Sequence, residues 1–205
     1  MKKMWMLISL LITIVLITAC APSKHTKVKL SEVTRSVFYT PQYVALEKGF
    51  FEEEGLDVEL STAWGGDKAM TALLAGHADI ALIGAETSIY VHGQEASDPV
   101  INFAQLTKTD GTFLVAKEAH DDFTWEDVKG SEFLGQRVGG MPQMVGEFVL
   151  KKHGIDPHAD LDLKQNIDFA NIPGAFVSTD AQYVQLFEPT ASTFEKEGKG
   201  HVVAS

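Results

Sequence analysis

Tyr39, Gln42, Trp64, Gly66, Glu86 and Thr87 fall in three short loops, and their types suit recognition of a small molecule rather than bond-making. A carboxylate such as Glu86 in a pocket repels anions and favours amines or amidine-like N–H groups. Tyr39 and Trp64 offer flat walls of the kind that line small-molecule sites, with Trp64 equally suited to sealing a sheet edge. Gln42 and Thr87 can hydrogen-bond. Gly65-Gly66 before a helix lets backbone N–H groups face a bound group, although a tight turn alone also uses such glycines. Glu86 has a second reading, as a charge placed at the start of the helix that follows it. Further along, Gln143 and Met144 follow a comparable loop and read as a lid from a second unit. None of the first three loops contains Arg, and the base nearest to them is Lys68. That weighs against a bare oxyanion, for which a guanidinium fork is the matching donor set.

Catalytic patterns are missing from the sequence. There is no Gly-X-Ser-X-Gly elbow and no P-loop. The seven His are scattered, and His153 and His158 straddle a Gly and a Pro. Neither a metal nor a cofactor is expected. The formal charge of −11 and the pI near 5.0 argue against nucleic acid, since no basic cluster with interleaved aromatics occurs.

The loops gain meaning from the elements around them. Thr34 to Phe38 reads as a strand, and Pro41 to Glu54 as a helix with Pro in its first turn and Gly55 past its end. The helix would pack Tyr43, Val44, Leu46, Phe50 and Phe51 inward, with Glu52-Glu53-Glu54 opposing the macrodipole in its last turn. Leu56 to Leu60 alternates as a strand. Asp67 is a candidate N-cap for a helix closed by Gly76, with Met70, Leu73 and Leu74 facing inward. Asp79 to Ile83 is a third strand. Strand, helix, strand, helix, strand implies parallel pairing, with ligands at the loops after the strands' carboxyl ends. Val100 to Leu106 and Thr112 to Lys117 are further strand candidates.

A second unit follows. Thr124 and Asp127 have capping-box spacing, and Leu134 to Gly139 reads as a strand leaving through Gly140-Met141-Pro142-Gln143. Met144 to His153 is a helix ended by Gly154, Leu161 to Lys164 a weak strand, and Gln182 to Phe187 a stronger one. Pro189 to Glu197 is a helix, and His201 to Ala204 a last strand. Glu54-Gly55-Leu56-Asp57 and His153-Gly154-Ile155-Asp156 match as helix exits, which suggests two similar α/β units in tandem.

The first residues give an address. Met1-Lys2-Lys3 is a basic start and Met4 to Ile17 an apolar run, too short to span a membrane comfortably but suited to a secretory signal. Cys20 is the single cysteine, so no internal disulfide is possible. Ile17-Thr18-Ala19-Cys20 resembles a bacterial lipobox. That resemblance implies cleavage before Cys20 and acylation of Cys20, including palmitate, with a mature charge of −13 after loss of Lys2 and Lys3. The expected order is a signal peptide at 1–19, a lipid-anchored tether at 20–29, a first lobe at 30–116 and a second, incomplete lobe at 117–205.

The run from Phe38-Tyr39-Thr40-Pro41 through Ala45-Leu46-Glu47-Lys48-Gly49-Phe50-Phe51-Glu52-Glu53-Glu54-Gly55-Leu56-Asp57-Val58 resembles the solute-binding proteins of ABC importers for nitrate, sulfonates and taurine, and the binders and synthases of the thiamine pyrimidine. Ala75-Gly76-His77-Ala78-Asp79-Ile80-Ala81 and Phe187-Glu188-Pro189 fit the same family. The resemblance implies a periplasmic-binding-protein-like two-lobe clamshell, each lobe a mainly parallel sheet flanked by helices. It also implies a monomeric, non-catalytic receptor that delivers a small solute to a membrane permease from the outer face of a membrane. The family continues from its second lobe back to the first, so the expectation is that this chain, ending at Ser205, is a truncated member. The expected solute is amine-bearing or heteroaromatic, such as a pyrimidine, or of the sulfonate and taurine type. The enzymatic alternative, a thiamine-pyrimidine synthase, implies a cysteine-rich motif that this sequence lacks. A purely structural surface lipoprotein would not need glycine-rich loops at its strand ends.

Overall fold

Thr26–Glu32 forms the first strand, β1, with its apolar residues Val28 and Leu30 turned inward and Lys27 and Lys29 left at exposed positions. The computed structural model describes residues 25–94, 99–109 and 111–205, so the signal segment and Cys20 lie outside the described residues. β1 lies between β2, Leu56–Thr62, and β3, Ile80–Leu82, and pairs with both in parallel. The expected strand at Thr34 to Phe38 is therefore displaced upstream, with its first four residues, 26–29, in the stretch expected to be tether. Ser36 accepts a hydrogen bond from Phe38 N–H and opens a 3-10 turn at Val37–Tyr39, which ends any extended run there.

The helix expected from Pro41 to Glu54 breaks at Gly49, whose φ of +75° suits glycine. Its pieces are α1, Thr40–Glu47, with Pro41 in the first turn, and α2, Phe50–Glu53. The break leaves Glu52 and Glu53 in a helix of a single turn, which has too small a dipole for the expected conflict to matter. It also interrupts the expected apolar face, and Val44 and Phe50 are exposed. Next comes α3, Gly66–Leu74, whose N-cap is Gly65 and not Asp67. Met70 is buried and Leu74 is exposed. β3 leads into α4, Glu86–His92. The expected strand at Val100 to Leu106 does not form; its Ile101 and Phe103 are exposed, and its backbone joins no ladder among the described residues.

The second sheet has the order β6-β5-β7-β4-β8. Its strands are β4, Thr112–Ala116; β5, Glu132–Leu134; β6, Asp162–Lys164; β7, Tyr183–Phe187; and β8, His201–Ala204. β5 pairs in parallel with β6 and β7, whereas β4 runs antiparallel to β7 and β8. β4, expected at the end of the first unit, thus belongs to the second sheet. β5 ends at Leu134, earlier than expected, so Gln136 and Arg137 lie in its exit loop. Three helices flank this sheet: α5, Met141–Lys152, with Pro142 in its first turn; α6, Ile172–Ser178, which the sequence reading missed; and α7, Thr190–Lys196. The Thr124 N–H donates to the Asp127 carboxylate at 2.7 Å, as the capping-box spacing suggests, over a 3-10 turn at Trp125–Val128.

One core holds Val115, Leu134, Ile172, Phe176, Val184 and Phe194. Val33 and Tyr39, from the loop after β1, pack into it, so the first sheet's exit loop is anchored by the second sheet's core. No helix among the described residues is long and apolar enough to cross a membrane.

Candidate functional site

The loops after β1, β2 and β3 leave the carboxyl ends of a parallel sheet, where open α/β folds hold ligands. Because β1 stops at Glu32, its exit loop is Val33 to Tyr39 and includes Arg35. The sequence reading, which ended the strand at Phe38, put no Arg in these loops. Glu32 itself is fully buried and is the hub of the region. Its carboxyl group accepts hydrogen bonds from Gln42 Nε2 at 3.1 Å, Tyr43 Oη at 2.9 Å and Thr62 Oγ1 at 2.8 Å. Arg35 Nε completes the set at 3.0 Å, and the guanidinium lies 5.2 Å from the centre of the Tyr43 ring. Burial pushes the Tyr43 phenol above its usual range. Gln42, expected to meet a ligand, gives an N–H to this hub. Tyr39 sits at the start of α1 and, with Ser36 and Phe187, lines a recess of about 20 Å³, which is room for a single water rather than a solute.

Trp64 follows β2 with φ +59°, the one non-glycine residue in the left-handed region among the described residues, and is 36% exposed. A bulky residue held there costs on the order of 1 kcal/mol and points to a constraint beyond local preference. Gly65 and Gly66 come next. A Cβ on Gly66 would lie 3.1 Å from Gly139 O and 3.2 Å from Gly140 Cα, so the backbones at the starts of α3 and α5 are packed against each other. Here the loops of the first sheet meet the second.

After β3, the Glu86 carboxylate folds back over Gly84, where a Cβ would lie 2.1 Å from one of its oxygens. Glu86 and Thr87 are buried, and the Thr87 hydroxyl donates to Gly84 O at 2.8 Å. On the opposite side, Gln143 Oε1 accepts from Gly139 N–H at 3.3 Å while its Nε2 donates to Glu147 at 2.6 Å. Burial would raise the Glu147 carboxyl, but hydrogen bonds from Gln143, Gln165 and Lys151 hold it below the usual range. Met144 is exposed, with its sulfur 3.9 Å from Tyr90 Oη on α4, a contact that crosses between the sheets' units.

The residues that sequence reasoning missed are charged. Arg137 grips both Asp67 oxygens, with Nε at 3.1 and 3.2 Å and Nη2 at 2.7 Å, and its Nη1 reaches Asp168 at 3.1 Å. Lys68 Nζ meets the other Asp168 oxygen at 3.0 Å. The Arg137 hydrogen bonds hold the Asp67 carboxyl below its usual range, and the same pairing raises the guanidinium. A carboxyl depressed on folding contributes stability above its unfolded pKa of about 3.9 and loses it as pH falls through the folded value. A signal for Arg137 was present in Gly135-Gln136-Arg137-Val138-Gly139-Gly140, a cation among glycines at a strand exit, but its partner Asp67 lies in the first unit.

A separate apolar cavity of about 260 Å³ lies under α5, walled by Phe113, Trp125, Phe133 and Val149, and contains none of the expected site residues. Among the described residues no cluster of His, Cys, Asp and Glu is arranged to hold a metal ion.

Residues 37–190 match the family described as "NMT1/THI5 like". The chain is 69% identical over 180 residues to the Bacillus subtilis (strain 168) protein named "Putative binding protein YtlA", a match that covers 88% of this chain and 54% of that protein. It therefore spans about half the length of this curated relative. The periplasmic nitrate-binding protein NrtA from Synechocystis PCC 6803 shares its fold with a TM-score of 0.70 at 19% identity, over 87% of this chain and 51% of NrtA. The periplasmic aliphatic sulphonate binding protein SsuA from Escherichia coli does so with a TM-score of 0.64 at 15% identity, over 87% of this chain and 60% of SsuA.

Proposed function

The chain belongs to the NMT1/THI5-like family, and from that premise we propose that it is the solute-binding component of an ABC importer. It takes up a small organic molecule between its two α/β units and delivers it to a membrane permease, without catalysis. The observation that carries this reading is the meeting of the first sheet's exit loops with the start of α5, where Gly66 approaches Gly139 and Gly140. Solute favours the approach of the two units because it touches both, and a ligand can shift such an equilibrium only by its differential affinity for the two states.

The solute is amine-bearing or heteroaromatic, such as a pyrimidine, or a taurine-like molecule carrying both an amine and a sulfonate. Glu86 supplies a carboxyl group beside Gly84, and Trp64 and Tyr90 supply flat surfaces, whereas Tyr39 is held in the core of the second sheet. Gly66 and Thr87 stand at the loop ends, and Met144 and Gln143 face them from the second unit. Gln42 acts one step back, through Glu32. Arg35, now placed in the first exit loop, admits an anionic group that the sequence alone argued against. The signal and lipobox pattern at residues 1–20 support an extracytoplasmic protein anchored through Cys20.

Mass spectrometry of small molecules that copurify with the full-length protein, followed by a thermal-shift panel of pyrimidines, taurine, alkanesulfonates and nitrate, tests this. A true solute raises the midpoint with dose, reaching about 2.7 kcal/mol of stabilisation at a hundred times its dissociation constant. Conversion of a bound pyrimidine to a new product would overturn the non-catalytic reading. Absence of dose-dependent stabilisation across the panel would overturn the assigned solute classes.

A further inference from the structure

The ion pair between the units is filled in a way that bears on which solutes can enter. Arg137 presents a guanidinium edge toward the first unit, and the Asp67 carboxylate occupies it with both oxygens at 2.7 to 3.2 Å. The carboxylate is also pressed against backbone: a Cβ on Gly65 would lie 2.8 Å from Asp67 Oδ1 and 3.5 Å from Arg137 Cδ. Asp168 takes Arg137 Nη1, and Lys68 closes the alternation on Asp168, so two anions and two cations follow one another across the junction. Asp67 and Lys68 belong to α3 in the first unit. Arg137 and Asp168 belong to the second.

We propose that Asp67 is a specificity element: its carboxylate occupies the Arg137 guanidinium edge from within the chain, excludes external oxyanions from that arginine, and ties the two units together. A carboxylate and a small planar oxyanion present alike to a guanidinium, as oxygens in one plane that accept parallel N–H bonds. The internal group has the advantage of connection, because a tethered partner acts at an effective concentration in the millimolar range or above. Formate, acetate or nitrate free in solution competes for Arg137 only when it exceeds that level. Arg137 thereby contributes to the approach of the units without serving as a receptor for simple anions, and a solute must be recognised by other groups. The biological sense of this rests on the solute-binding reading above; its test does not.

The test uses the full-length protein, formate and nitrate as probes, and thermal shift with calorimetry as readouts. Wild type is expected to show no specific stabilisation by either anion at low millimolar concentration relative to chloride. Asp67→Ala is expected to gain dose-dependent stabilisation at concentrations at least tenfold below any that act on wild type, and Asp67→Ala with Arg137→Gln to lose the gain. If Asp67→Ala does not fold alone, refolding it with formate is the second measurement: recovery with formate and not with chloride supports the assignment, and equal yields overturn it. A folded Asp67→Ala that responds as wild type does would overturn it, as would wild-type nitrate binding that Arg137→Gln abolishes. Both probes are simple ions, so failure here leaves the solute-binding reading standing. Failure of the pyrimidine, taurine and alkanesulfonate arms of the solute panel likewise leaves this assignment standing.

Discussion

Replacing Glu32 with alanine is expected to lower the unfolding free energy by about 3 kcal/mol, read as a fall in the denaturant midpoint at unchanged slope. Glu32 is fully buried and accepts from Gln42, Tyr43 and Thr62 while pairing with Arg35. Each of the three lost hydrogen bonds leaves a donor to be satisfied elsewhere, at roughly 1 kcal/mol apiece. Arg35 adds little to the loss, because its side chain is half-exposed and water can solvate it. Glu32→Gln keeps the shape and one accepting oxygen, so a smaller fall is expected. The two variants separate shape from hydrogen bonding. Equal stability of Glu32→Ala and wild type would show that the hub does not order the first exit loop.

Gly66→Val is expected to weaken solute binding at least tenfold, about 1.4 kcal/mol, and to lower the unfolding free energy by about 1–3 kcal/mol through overpacking. The first added carbon meets backbone at 3.1 and 3.2 Å on Gly139 and Gly140, and backbone has no rotamer by which to move aside. The units must separate by a few tenths of an ångström or more, which strains the Asp67–Arg137 pair and the solute contacts together. Gly66→Ala sharpens the comparison. Alanine in a helix is favoured over glycine by up to about 1 kcal/mol, so this variant should bind more weakly without being less stable. Calorimetric titration with the solute from the panel, beside a denaturation curve, reads both quantities. Unaltered affinity in Gly66→Val would remove the junction from the binding event.

Much of the fold was legible because local chemistry marks it. Gly55, Gly76, Gly154 and Gly198 close helices at positive φ, and β2, β3, β7 and β8 lie close to where apolar runs place them. β1 was not, since its alternating lysines resemble a polar tether until Leu56–Thr62 pairs beside it. That displacement hid Glu32 and Arg35, and an early end to β5 hid Arg137. Arg35 meets Glu32 three residues away, but other partners are distant in the chain: Thr62 for Glu32, Asp67 for Arg137. No local pattern carries such pairings. The expected site residues divide accordingly. Gly66 and Met144 stand where the units meet, whereas Gln42, Thr87 and Gln143 have partners inside their own units.

Amide hydrogen exchange on the full-length protein, with and without the solute found by the panel, tests binding between the units most directly. Protection is expected to rise together in Trp64 to Lys68 and in Gly139 to Met144, the two backbones that face each other at Gly66. Protection confined to the cavity walled by Phe113, Trp125 and Val149, with both of those segments unchanged, would contradict it.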